Sequence, residues 1–141
     1  LVLSGERGVG KSHLALAAMG HLGAKGEPCL YLTDYQLDQA IRKSFDNKNT
    51  DEIIDSYAKA PRLIIDDFGT VARAETMRGL IDALFNERWI RARDQQGWTL
   101  ITTNLSGEDM TARIQSRLAD RTRSRVVVID AIDYRKNPHG A

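Results

Sequence analysis

The stretch Leu3–Ala15, LSGERGVGKSHLA, decides how this chain is read. Before it lies the start of a short apolar run, "LVLS", expected as a strand. After it, Leu14, Ala18 and Leu22, with Ala15 and Met19, recur at helical spacing from Lys11 to about Leu22. Between strand and helix, Gly5-Glu6-Arg7-Gly8-Val9-Gly10-Lys11-Ser12 satisfies the pattern G-x-x-x-x-G-K-[ST] in full. The glycines let the backbone curl so that successive N–H groups face phosphate oxygens, and the following helix adds the positive end of its dipole. Lys11 is expected at the exposed mouth of the loop, its charge between the outer phosphates, with the Ser12 hydroxyl on Mg²⁺. The nucleotide-holding set is therefore Gly5, Glu6, Arg7, Gly8, Val9, Gly10, Lys11, Ser12 and the adjoining His13. A chance glycine turn is the alternative, and it does not account for strand, loop and helix arriving in the required order.

Working outward, 141 residues suit one domain able to bury a core. A formal net charge of +1 excludes a bulk polycation, so any nucleic-acid contact must come from a local patch. The single cysteine, Cys29, has no partner for an internal disulfide and suits a reducing cytoplasm. It falls in the apolar run "CLYL" and reads as a small core residue. No apolar run approaches membrane-spanning length, which gives no membrane partner.

The rest of the chain alternates. "CLYLT" is a second strand, and Asp34 is expected to cap a helix reaching about Phe45. "DNKNT" is a polar loop, followed by a short helix from Asp51 to Ala60. "RLIID" is a third, continuously apolar strand of the buried parallel kind. Met77, Leu80, Ile81, Leu84, Phe85 and Trp89 mark one face of a long helix ending near Gln96. "WTLITTN" is a fourth strand, Ser106 opens a helix through about Asp120, and "RVVVID" is a fifth strand. This alternation predicts an α/β fold with a parallel sheet covered on both faces.

In "LIIDDFG", Leu63, Ile64 and Ile65 deliver Asp66 to the C-terminal end of a buried strand, where open α/β sheets bind ligands. Asp66 suits Mg²⁺ held through water, and Asp67 suits orienting or deprotonating the attacking water. The bland reading is that both cap the next helix. An aspartate is shorter than the glutamate many proteins of such a fold place here, which predicts slow hydrolysis. Asn104 closes the fourth strand with an amide able to position that water, or merely turns the chain. Arg113, Arg117 and Arg121 stand four residues apart and are expected along one helical face, solvated or facing a neighbour's phosphate. In "AIRKSFDNKN", Arg42, Lys43 and Phe45 combine backbone-tracking charge with an aromatic on which a base can stack, unless Phe45 packs inward. His13 and His21 lack metal-type partners, and His139 lies in a terminal tail.

The succession "GERGVGKSHLA", "CLYLT", "RLIIDDFG", "TLITTNLS", "RIQSRL" and "DYR" resembles, in order and across nearly the whole chain, the AAA+ ATPases of the bacterial helicase-loader family. These are the DnaC/DnaI type, with the IstB-type transposition helpers as close relatives. The resemblance implies a P-loop (AAA+/ASCE) three-layer sandwich with a five-stranded parallel sheet in the order 5-1-4-3-2 and no full helical lid. It implies that residues 1–141 are an AAA+ ATPase domain excised from a longer chain whose N-terminal region binds the replicative DNA helicase. It makes Asn104 a sensor, Arg117 the arginine finger of a neighbour's site, and Arg135 of "DYR" the second sensor arginine. Implied cofactors are ATP or ADP and Mg²⁺. Implied partners are single-stranded DNA, a helicase, and further copies of the chain with nucleotide at their interfaces. The rival readings are a transposition helper and a nucleotide-governed assembly switch without significant hydrolysis.

Overall fold

The computed structural model describes residues 1–105 and 110–133. Five strands, β1 (Val2–Ser4), β2 (Leu30–Thr33), β3 (Arg62–Phe68), β4 (Trp98–Thr103) and β5 (Val126–Val128), alternate with five helices. The helices are α1 (Lys11–Ala24), α2 (Asp34–Asn47), α3 (Thr50–Lys59), α4 (Glu75–Arg93) and α5 (Ala112–Ala119). The strand order β2-β3-β4-β1-β5, read from the other edge, is the expected 5-1-4-3-2, and every pairing is parallel.

The two faces of the sheet are filled unequally. Alternate residues point to opposite sides of a strand, so Leu3, Ile64 and Leu100 meet Ala15 of α1 on one face, with Cys29 partly buried beside them. Val2, Leu63, Ile65 and Ile101 meet α2, α3, α4 and α5 on the other. Leu63, Ile64 and Ile65 are wholly buried, each stabilising by about 1.5–3 kcal/mol relative to exposure. That run makes the end of β3 a fixed platform. On α1 the buried apolar residue is Ala15, with Ala18 and Met19 partly buried beside it, whereas Leu14 and Leu16 are about half exposed. Of the expected face, Ala15, Ala18 and Met19 pack on the sheet, and Leu14 does not.

Two boundaries differ from expectation for identifiable reasons. Asp34 is not the cap of α2. Thr33 is, with its hydroxyl accepting from the Gln36 amide at 3.2 Å while the Gln36 side chain accepts from the Thr33 amide at 2.9 Å. This is a reciprocal capping box, and it frees Asp34 for other use. The last helix is shorter than expected. Thr111 caps α5, and the helix stops at Ala119 because Asp120 leaves helical geometry and accepts from Thr122. Arg121 therefore leaves the helical face shared by Arg113 and Arg117. The expected start at Ser106 lies outside the described residues. Among the described residues no helix is long and apolar enough to cross a membrane.

Candidate functional site

The C-terminal ends of β1, β3 and β4 open into one cleft of about 930 Å³, lined by Arg7 to His13 of the loop and by Asp67, Thr70 and Asn104. Segments far apart in sequence thus meet at the edge where α/β sheets bind ligands. Gly10 precedes α1 in left-handed geometry at φ 94° with no side chain capping the helix, leaving its first N–H groups directed at the cleft. Gly8 also has positive φ, and a Cβ there would fall 1.8 Å from Asp133 Oδ1. Only glycine fits that position.

Lys11 departs from expectation. It is buried instead of sitting at an exposed mouth, and its Nζ donates to the carbonyls of Gly5 and Glu6 at 2.8 and 2.6 Å. Its stem passes under the loop, so a buried ammonium needs those oxygens. Gly5 and Glu6 accordingly support the lysine and do not line the cleft.

The two aspartates at the end of β3 diverge. The ladder with β4 slips between Ile65 and Phe68, and Asp67 takes a positive φ of 56°. Such a bulge re-aims side chains. Asp67 therefore faces the cleft, and Asp66 stays buried. The Asp66 carboxylate accepts from Tyr31 Oη at 2.7 Å and from the Thr102 hydroxyl, and Thr102 Oγ1 in turn accepts from the Asp67 amide at 2.9 Å. Burial pushes the Tyr31 phenol well up, reinforced by its hydrogen bond to Asp66 and by the charges of Asp66 and Asp67. Tyr31 is therefore a neutral donor. Beside Asn104, Thr103 Oγ1 donates to the Phe68 carbonyl at 2.7 Å and accepts from the Leu105 amide at 3.0 Å. The exposed amide of Asn104 is held between those bonds.

The donor set suits Mg²⁺. Ser12 and Asp67 line the cleft with oxygen donors, Asp66 lies buried behind them, and no cluster of three His, Cys, Asp or Glu exists among the described residues. Magnesium commonly takes one or two protein oxygens beside substrate phosphates.

Arg117 is not in the cleft. Its guanidinium donates to Asn86 Oδ1 and to the Arg113 carbonyl and lies 5.7 Å from the centroid of the Trp89 ring, over which Arg123 also lies, at 4.5 Å. Arg135 and His139 lie outside the described residues. On α2, Lys43 and Phe45 are exposed, with Phe45 at 46%. Arg42 reaches Asp38 at 2.6 Å.

A family model described as RNA helicase matches residues 1–89, the part carrying the phosphate loop and the paired aspartates. The replicative helicase loader DnaC of Escherichia coli K12 is 28% identical over 124 residues, covering 86% of this chain and 49% of that protein. A crystal structure of the DnaC helicase loader matches at TM-score 0.68 and 26% identity, over 92% of this chain and 77% of the other. This chain belongs to the AAA+ helicase-loader family. The AMPPCP-bound initiator DnaA from Aquifex aeolicus shares the fold, at TM-score 0.77 and 19% identity over 92% of this chain and 40% of that one. The chain spans about half the length of the curated loaders it matches.

Within this AAA+ helicase-loader domain, four contributors escaped the sequence reading: Tyr31, Thr70, Thr102 and Asp34. Tyr31 and Thr102 sit on strands flanking β3, and only the register Thr33↔Asp66 with its neighbours brings them to Asp66. The alternation of "LYLT" offered a weak signal for Tyr31. For Thr70 there was none.

Proposed function

We propose that this chain is the ATP-binding and ATP-hydrolysing domain of a replicative helicase loader. The observation that carries this reading is the convergence of the loop Arg7–His13, Asp67, Thr70 and Asn104 on one cleft. Loop amides and the start of α1 hold the phosphates, and Lys11 exchanges its loop carbonyls for phosphate oxygens. Ser12 and Asp66 would hold Mg²⁺, which supplies neutralisation of phosphate charge. Asp67 takes the proton of the attacking water, and Asn104 orients that water. Arg117 leaves Trp89 and Asn86 to serve a neighbouring subunit's site. The longer parent chain supplies the helicase-binding region, and the exposed α2 surface of Arg42, Lys43 and Phe45 takes single-stranded DNA. A nucleotide-governed assembly switch with little turnover is the second reading. It is favoured by the Asp66 carboxylate, whose two oxygens already engage Tyr31 and Thr102.

Titration of a fluorescent ATP analogue against wild-type and Lys11→Ala protein tests the reading. Loss of tight binding is expected, with circular dichroism confirming that the buried site still folds. Equal affinity overturns the phosphate-cradle assignment.

A further inference from the structure

Between α2 and the segment after β3 lies a row of alternating charge that the catalytic scheme does not use. At its inner end is Asp34, wholly buried. Asp34 Oδ2 accepts from the amides of Gly69 and Val71, each at 3.1 Å, so it grips the backbone on both sides of Thr70. Thr70 lines the nucleotide cleft. Arg73 returns from the same segment and binds Asp34 Oδ1 through Nη2 at 2.5 Å and Oδ2 through Nη1 at 3.3 Å. Its side chain is only 6% exposed.

The row continues outward. Arg73 Nε stands 3.4 Å from Asp38 Oδ1, and neither atom has a hydrogen-bond partner among the described residues. Asp38 Oδ2 accepts from Arg42 Nε at 2.6 Å, and the Arg42 side chain is 51% exposed. The order is thus Arg42, Asp38, Arg73, Asp34, then the amides flanking Thr70. Three members are buried and one reaches solvent. The Arg73–Asp38 joint is slack while the joints on either side are tight.

We propose that this row is a relay by which a nucleic-acid phosphate captured by Arg42 resets the Thr70 segment of the nucleotide cleft. The proposal rests on the reading of α2 as a strand-binding surface and of the cleft as a nucleotide site. A phosphate competes with Asp38 for the Arg42 guanidinium. Asp38, 3% exposed, is then a buried carboxylate short of a partner, and leaving it so is costly. The unbonded Arg73 Nε is the donor within reach. Closing that joint draws Arg73 from Asp34 and loosens the grip on Gly69 and Val71. Asp34 and Arg73 are positioning residues in this scheme and touch no nucleotide.

The test measures affinity for a fluorescent ATP analogue with and without saturating oligothymidylate, for wild type, Asp38→Asn, Arg42→Ala and Arg42→Lys. In wild type the oligonucleotide is expected to change analogue affinity by about five-fold or more. Asp38→Asn, which keeps shape and removes charge, should bind both ligands yet show a ratio near one. Arg42→Ala, whose fold is checked by circular dichroism because it removes the Asp38 partner, should abolish the ratio even when strand is raised to saturation. Arg42→Lys should retain part of it, which a purely structural role for Arg42 does not predict. An unchanged ratio in Asp38→Asn overturns the relay. Binding of both ligands by wild type without coupling overturns it too, and leaves the two binding sites standing. Failure of wild type to bind the oligonucleotide overturns the relay together with the α2 surface.

Discussion

Two buried arginines at opposite ends of the sheet show what this fold does with charge. Arg73, beyond the C-terminal end of β3, is held by carboxylates, Asp34 at 2.5 Å and Asp38 at 3.4 Å. Arg88, on α4 at the N-terminal ends of β3 and β4, has no carboxylate partner among the described residues. It donates to the carbonyls of Ala58, Ala60 and Trp98 and to Thr99 Oγ1. Burial, with Arg91 nearby, pushes the Arg88 guanidinium down to about 10, so it stays charged at neutral pH. Carbonyls of a fixed backbone cannot be exchanged, so Arg88 is a rivet. Carboxylates on a helix can swap partners, so Arg73 sits in a joint. The rigid end is where the strands begin and the adjustable end is where the ligand cleft opens.

That contrast is broken most directly at Arg88. Replacing Arg88 with Met removes the buried bond to the Ala58 carbonyl and the part-buried bonds to Ala60 and Trp98, hydrogen bonds to a charged group being worth about 1.5–3 kcal/mol each. Urea unfolding should show a loss of about 3 kcal/mol or more, with analogue affinity of the folded protein unchanged. Loss of nucleotide binding without loss of stability would erase the distinction between the two ends.

A smaller stability effect is expected at the other arginine's partner. Asp34→Asn removes the counter-charge of Arg73 and turns an NH2 either on Arg73 or on the Gly69 and Val71 amides, which share one oxygen, for about 2 kcal/mol. Here analogue affinity should fall as well, because Thr70 is no longer held. Stability lost with full affinity retained would make Asp34 a second rivet.

The smallest effect on stability belongs to Phe45, 46% exposed at the outer side of α2. Phe45→Ala should move the unfolding midpoint within the range of about 0.5 kcal/mol typical of surface changes. Oligothymidylate binding should weaken by about 1–3 kcal/mol if a base stacks there. Global unfolding of this variant would return Phe45 to the core and close the adjustable end.

The same division governs what could be read from the sequence. The phosphate loop is contiguous, its residue types are dictated by backbone geometry, and the parallel sheet follows from the alternation around it, while the strand order came with the family resemblance. Asp66 and Asp67 were legible because an apolar strand announces its own end. Their different fates were not, since a bulge and a left-handed Asp67 depend on pairing with β4. Asp34 was misread as a cap although Thr33 and Gln36 held the capping-box spacing all along. Its true partners lie 35 to 39 residues away. The resemblance singled out Arg117, but its packing on Asn86 and Trp89 depends on α5 lying against α4.

The placement of β1 bears on the order in which the protein is made. Val2 pairs with Ile101 on one side and with Val126 on the other, so the strand that anchors the phosphate loop is completed by segments synthesised much later. Such distant pairings are slow to form, because chain closure must precede the contacts that reward it. On the ribosome, the loop and α1 emerge early but have no sheet to dock on until β4 and β5 follow. A nascent chain stopping short of Trp98 carries the whole glycine motif and no seat for it. Nucleotide competence therefore arrives late and all at once in the life of each molecule.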